Sequence, residues 1–297
     1  MQSGGGEHDC LRLIYAGGDR LFIPVENIDL LSRYGQQASD AALDRLGGVA
    51  WQAKKARIKG RIKEMADELI KIAASRQVSK AEKLTVPTGT FDEFCARFQF
   101  SETDDQLDAI SDVIDDLASG KPTDRLICGD VGFGKTEVAL RAAFVACMSG
   151  YQVALVTPTT LLARQHGKLF EERFKSFPIQ IGILSRMTPA KNAATIKQDI
   201  ADGTCQMVIG THALLSKSVV FNNLGLLIVD EEQHFGVAQK EQLKKMRGDM
   251  HVLTLSATPI PRTLQMALSG VREMSLIATP PVDLSLIHIS EPTRRRG

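Results

Sequence analysis

Apolar and polar positions along this chain follow three successive patterns, and each predicts a different element. Near the N-terminus Leu11, Leu13 and Tyr15 alternate with Arg12 and Ile14, which predicts a strand with a preferred face. Ala16-Gly17-Gly18-Asp19 reads as a turn, and Leu21 to Pro24 as a second short strand. A lone hairpin is marginal in water, so this β unit is incomplete or leans on a neighbour. From Ala50 to Arg76 the period changes. Ile58, Ile62, Met65, Leu69 and Ile72 recur at steps of four and three, the stripe of one long helix. Lys54, Lys55, Arg57, Lys59, Arg61 and Lys63 lie off that stripe, followed by Glu64, Asp67 and Glu68. A solvated helix packing its stripe on a neighbouring domain explains the pattern; a nucleic-acid contact by the basic turns is the alternative. Residues 77–90, with Pro87, read as a connector.

After Asp104 short apolar runs alternate with helix-length segments, which predicts a parallel sheet covered on both faces. The expected strands are Arg125–Gly129, Gln152–Thr157, Gln180–Leu184, Gln206–Ile209, Leu224–Val229, His251–Leu255 and Glu273–Ile277. Leu226-Leu227-Ile228-Val229 has no polar alternation, as befits a strand buried on both sides.

Composition narrows the class. With 43% hydrophobic and 24% charged residues the chain reads as a globular protein. It has no run of 18 apolar residues to cross a membrane. The opening MQSGGGEHDC lacks the apolar centre of a signal peptide. The five cysteines are scattered without a CxxC pair, which gives no sign of zinc or redox chemistry and suits a reducing cytoplasm. Net charge is +1, so any contact with nucleic acid is local rather than the work of a global field.

The candidate chemistry lies at strand ends. Gly129-Asp130-Val131-Gly132-Phe133-Gly134-Lys135-Thr136 matches a phosphate-binding loop between an apolar strand and a helix-forming run. Its glycines, with Gly129, Gly132 and Gly134 at the turning points, let backbone N–H groups curl around phosphate oxygens at a helix N-terminus. Lys135 is placed for the β- and γ-phosphates, and the Thr136 hydroxyl for Mg²⁺. Asp230 ends the apolar strand Leu226–Val229 and is the acid that a phosphate-loop enzyme needs on its magnesium, held through the metal's water shell, while Glu231 beside it is placed to orient and deprotonate a water. Ser256-Ala257-Thr258 ends another strand, where hydroxyls can bond back to the segment Asp230–Gln233. Thr157, Thr159 and Gln165 follow one strand and Gly210 and Thr211 another. Both stretches offer hydroxyls and helix-start N–H groups to a nucleic-acid backbone, or simply cap helices through Thr159 and Thr211. His212 reads as a satisfied structural histidine.

Thr103-x-x-Gln106, GDVGFGKT, TPTTLLARQ, GTHALL, DEEQ and SATPIPRT occur in that order. They resemble the adenine-recognition motif and motifs I, Ia, Ib, II and III of superfamily 2 helicases. Leu224 to Val237 and Leu255 to Thr263 resemble the RecG/Mfd branch of double-stranded DNA translocases. Within it, Gly132 to Ala143 and Tyr15 to Gly35 resemble the Mfd side more than RecG. The resemblance covers residues 8 to 283. It implies an α/β fold with a RecA-like parallel sheet flanked by helices, preceded by a partial Tudor-like β module and a linking helix. On this resemblance the chain divides into a partial RNA-polymerase-interacting domain (8–36), a linking helix and connector (37–90), an ATP-binding lobe (91–283) and a tail (284–297). It implies a motor that uses ATP and Mg²⁺ to grip double-stranded DNA and push a stalled RNA polymerase, docked through the polymerase β subunit. Gln106 would read the adenine edge with Phe98 or Phe100 near the base, and Gln233, Ser256 and Thr258 would couple nucleotide state to movement.

Three departures accompany the resemblance. The family's surface for the repair protein UvrA does not occur in the sequence, nor does its second motor lobe with an arginine finger. The chain alone is therefore expected to bind nucleotide weakly and turn it over poorly. A RecG-like fork-remodelling helicase is the second reading, and a polymerase-binding module without turnover the third. Leu284 to Arg294 resembles the translation of a sequencing-library adaptor end, so Arg294, Arg295 and Arg296 are not read as a DNA-binding tail.

Overall fold

The computed structural model describes residues 9–15, 17–25, 79–85, 89–236, 239–240, 242–243, 250–257 and 272–281, with the isolated positions 53, 56, 57, 60 and 74. The apolar stripe of the long helix expected at Ala50–Arg76 lies outside the described residues, as do Thr258 and the tail 284–297. Two units are distinguished, residues 1–69 and 70–297.

In the first unit β1 (Cys10–Ile14) and β2 (Arg20–Pro24) pair antiparallel, with Arg12 opposite Phe22 and Leu13 opposite Leu21. Gly17 and Gly18, both at positive φ, make the reversal that a side chain would resist. The expected alternation is present: Leu11, Leu13 and Tyr15 are half-buried while Arg12 and Ile14 are exposed. Phe22 and Val25 also stay exposed.

The second unit is built on seven parallel strands. They are β3 (Asp124–Gly129), β4 (Gln152–Val156), β5 (Ile181–Leu184), β6 (Met207–Gly210), β7 (Leu224–Asp230), β8 (His251–Ser256) and β9 (Glu273–Ile277). Their spatial order is β5-β6-β4-β7-β8-β3-β9. The helices are α1 (Thr90–Ala96), α2 (Asp104–Ala118), α3 (Lys135–Met148), α4 (Thr160–Phe174) and α5 (Ala190–Asp202). Each strand feeds two cores because successive side chains point to opposite faces. On one face Val153, Leu155, Ile209, Leu226 and Ile228 pack with α2, α3 and α4. On the other Ala154, Val156, Val208, Leu227 and Val229 pack with Ile200 of α5 and Leu214. Phe94 and Phe144 stack at 4.3 Å, with Phe174 and Phe177 edge-on around Phe94. That aromatic cluster makes the first core the larger one. α3 is apolar on nearly every side and is buried from Glu137 to Cys147. A helix of this kind must lie inside the layers.

The expected α/β architecture is thus observed, each expected strand lying within one residue of its place at either end. In such a sheet ligands meet the carboxyl ends of the strands where neighbouring connections diverge. β3 is followed by α3 and then β4, with β7 and β8 inserted between the two strands. This brings the ends of β3, β7 and β8 side by side.

Candidate functional site

The loop after β3 is shaped by three glycines with separate duties. A Cβ on Gly129 would stand 2.8 Å from the Ile277 carbonyl of β9, so only glycine lets the two strand ends close together. Gly132 and Gly134 have φ of 88° and 80°, the left-handed turn that aims the following N–H groups inward. A Cβ on Gly134 would also meet the Gln106 amide nitrogen at 2.3 Å. Lys135 opens α3, and its ammonium bonds back to the carbonyls of Gly129 at 2.6 Å and Asp130 at 2.9 Å. Burial pushes its pKa down, while Glu231, Asp230 and Asp130 pull it back up. The lysine therefore sits on its own loop within the field of the strand-end acids.

Gln106 joins this loop from α2. Thr103 caps the helix, accepting the Gln106 N–H on its hydroxyl at 3.3 Å, and the Gln106 side-chain oxygen accepts the Thr103 N–H at 3.1 Å. Its amide then donates to the Phe133 carbonyl at 2.9 Å. Beside it opens a cleft of about 700 Å³ lined by Phe98, Phe100, Gly132, Thr136, Leu140 and Arg173 among others. Gln106, Phe98, Phe100 and the phosphate loop thus meet around one cavity.

Asp230 and Glu231 stand at the end of β7 in different surroundings. The Asp230 carboxylate is buried and accepts a 2.9 Å bond from Nε2 of His166 on α4. Glu231 has φ 50° and ψ 53°, the one non-glycine residue at positive φ among the described residues. That backbone turns its side chain toward β8, where the Ala257 N–H donates to it at 3.1 Å. Gln233 donates its side-chain amide to the same carboxylate, and the Ser256 hydroxyl donates to the Gln233 oxygen at 3.4 Å. Glu231, Gln233 and Ser256 are thereby drawn into one chain of contacts. Thr136 and Asp230 offer two oxygens, and no group of three or more His, Cys, Asp or Glu side chains suited to a metal occurs among the described residues. A magnesium ion, which keeps several waters and shares substrate phosphates, fits so small a protein contribution.

The second set of expected contacts is divided. Thr159 is exposed and caps α4, accepting the Leu162 N–H at 3.2 Å. Gln165 is exposed on the same helix. Thr157 is fully buried, and its hydroxyl donates to the carbonyls of Thr159 at 3.0 Å and Gly210 at 3.3 Å. Gly210 is buried, and a Cβ there would fall 2.1 Å from the Leu184 carbonyl. Thr211 is buried, makes no side-chain cap, and its hydroxyl finds no hydrogen-bond partner. His212, expected as a satisfied structural group, is exposed instead, because the short 3-10 helix His212–Leu215 turns Leu214 and Leu215 inward.

Two features had no place in the sequence reading. One is His166. The other is a buried ion network at the start of α3. Glu137 accepts from Arg141 at 3.0 Å and from Arg173 at 2.7 Å, and Arg141 also pairs with Glu102. Burial pushes the Glu137 carboxyl up, against the pull of Arg173 and Arg141. Arg173 lies 4.6 Å over the Phe94 ring, with Nε and one terminal nitrogen lacking an acceptor. The Glu137–Arg141 spacing of four is visible in sequence; the arrival of Arg173 from α4 is not.

No helix among the described residues is long and apolar enough to cross a membrane. The description CarD-like/TRCF RID domain matches residues 1–35. The chain is similar to the transcription-repair-coupling factor of Rickettsia conorii, 51% identical over 96% of this chain and 26% of that protein. It is similar also to that of Bacillus subtilis, 47% identical over 95% of this chain and 24% of that protein. It thus spans about a quarter of the length of these curated relatives. Among solved structures, RecG bound to a three-way DNA junction matches 72% of this chain and 28% of its own, with a TM-score of 0.62 and 34% identity. The description DEAD/DEAH box helicase matches residues 103–267, more than half of the sequence and the whole span from the Thr103 cap to the segment after β8, and the chain belongs to that family.

Proposed function

We propose that this chain is the ATP-binding lobe of a double-stranded DNA translocase of transcription-coupled repair, which binds a stalled RNA polymerase and displaces it from DNA. The observation that carries the reading is the convergence of Lys135 and Thr136 after β3 with Asp230 and Glu231 at the end of β7, the two strands that flank β8, with Gln106 and an open cleft beside the loop. The N-terminal hairpin, within the segment matched by the polymerase-interacting family, supplies the docking half of the proposal. Double-stranded DNA and the polymerase β subunit are the proposed partners, and the cytoplasm the proposed place; UvrA would be met only through parts of a longer protein.

Each residue then has a task. The loop amides from Gly129 to Gly134 receive phosphate oxygens, and Lys135 leaves the Gly129 and Asp130 carbonyls to meet the β- and γ-phosphates. Thr136 and Asp230 would hold magnesium, which would neutralise phosphate charge when bound. Glu231 orients a water and accepts its proton. Gln106 reads the adenine edge while the cleft takes the base. Gln233 and Ser256, with Thr258, report the state of Glu231 to the next strand. Thr159 and Gln165 face a DNA backbone directly, whereas Thr157, Gly210 and Thr211 act by shaping the backbone around them.

The test is nucleotide binding. Lys135→Ala should weaken a fluorescent ATP analogue by about 100-fold, the loss expected for charge-assisted bonds of roughly 2–3 kcal/mol. Unchanged affinity would sink the assignment. The likeness to RecG favours fork remodelling as a second reading. Capture of RNA polymerase by a protein carrying the hairpin, and its loss when the hairpin is deleted, separates the two.

A further inference from the structure

His166 lies on α4, whose exposed positions include Leu161, Arg164, Gln165 and Lys168. Its own side chain turns inward, beside Phe170, with ring centroids 6.2 Å apart. From there Nε2 reaches Asp230 Oδ2 at 2.9 Å, and each side chain is only 11% exposed. An ionised carboxylate can only accept, so the hydrogen between them belongs to Nε2. Asp230 ends β7, whose backbone fixes its Cα but leaves the carboxyl plane to rotate about a broad torsion. The histidine removes that freedom, because one oxygen is fixed and the direction of the other follows.

We propose that His166 is a positioning residue for Asp230: it aims the carboxylate at magnesium and ties α4, the helix capped by Thr159, to the metal site. The inference rests on the reading of Asp230 as the magnesium-bearing acid. Partners of this kind behind a metal ligand are worth about 10–100-fold in metal affinity. The bond also gives α4 a mechanical link to the metal: a shift of its Thr159 end on contact with a phosphodiester backbone moves Nε2 along with the helix.

The experiment is a Mg²⁺ titration of fluorescent ADP binding to this chain at fixed pH, with a parallel measurement in EDTA. His166→Phe keeps the ring volume beside Phe170 but lacks the donor. It should raise the Mg²⁺ concentration at half-effect by about tenfold, and leave metal-free ADP affinity within about twofold. A packing role would move both or neither. His166→Gln, whose amide can donate over a similar reach, should restore the Mg²⁺ midpoint most of the way, and His166→Asn, which is too short, should not. An unchanged midpoint in folded His166→Phe overturns the proposal. If that variant does not fold by circular dichroism, the Gln and Asn variants decide, and equal midpoints for the two overturn it. Asp230→Ala separates the underlying reading: it should abolish the Mg²⁺ response, and a retained response would remove Asp230 from the metal and the proposal with it.

Discussion

Just past the carboxyl ends of β3 and β7 the side chains of Lys135 and Glu231 are half-buried and bonded to their own loops, whereas Thr157 and Thr211 at the ends of β4 and β6 are sealed in. Lys135 bonds to two carbonyls of its own loop. Glu231 is held by Ala257 and Gln233 in a half-buried position. Thr157, Gly210 and Thr211, by contrast, are buried at the other two strands. A side chain that exchanges partners must be reachable and must have something to hold while it waits. A position that sets backbone shape must be packed. Both edges belong to one parallel sheet, so the difference arises from side chains and loop conformation, not from topology.

The sharpest way to break this contrast is to disable the exchangeable edge while leaving its packing alone. In a full-length protein carrying this chain, Glu231→Gln should keep ATP bound and lower turnover by on the order of 10²-fold or more, since an amide does not accept the water's proton. Near-normal steady-state hydrolysis would place the base elsewhere. The packed edge should respond in stability instead. Gly210→Ala forces a Cβ against the Leu184 carbonyl of the paired strand and should cost about 2 kcal/mol, read as a drop in denaturation midpoint. An unperturbed midpoint would show that β5 and β6 have slack. A smaller loss, about 1 kcal/mol, is expected for Thr159→Ala, which removes the cap of α4. If Thr159 acts only as a cap, DNA affinity should hold once the fold is intact; loss of affinity gives it both roles.

The smallest effect concerns pH. His251 is buried between the Thr123 hydroxyl at 2.9 Å and the Glu82 carbonyl at 3.3 Å, and burial lowers its pKa below 6.5 against the opposing pull of that carbonyl and Asp116. The unfolded chain therefore takes up this proton before the folded one as pH falls. The contribution is fully present above about pH 6.5 and is lost as pH falls through the folded value. Melting temperatures at pH 7.5 and 5.5 should differ more for the wild type than for His251→Gln. Equal differences would remove His251 as a source of acid sensitivity.

Much of this was legible before any coordinates, for physical reasons. A strand such as Leu226–Val229 has nowhere to go but the middle of a covered sheet, and a loop with glycines at 129, 132 and 134 before Lys135 can only turn tightly. Local chemistry sets both. His166 and Asp230 are 64 positions apart, and their meeting depends on the rotational phase of α4 over β7, which no local pattern encodes. Arg173 reaches Glu137 for the same reason. Thr157 shows the converse failure: a hydroxyl after a strand looks available until the Gly210 carbonyl of the neighbouring strand claims it.

The left-handed backbone at Glu231 bears on how this protein would evolve under heat. A non-glycine residue in that conformation costs about 1 kcal/mol relative to one at ease there. Glycine at 231 would relieve it, and asparagine would partly do so. A laboratory selection that rewards thermal survival alone should therefore repeatedly replace this glutamate, enriching sturdier proteins that have lost their proposed proton acceptor. Position 231 is where such a library would reveal whether it was being asked to last or to work.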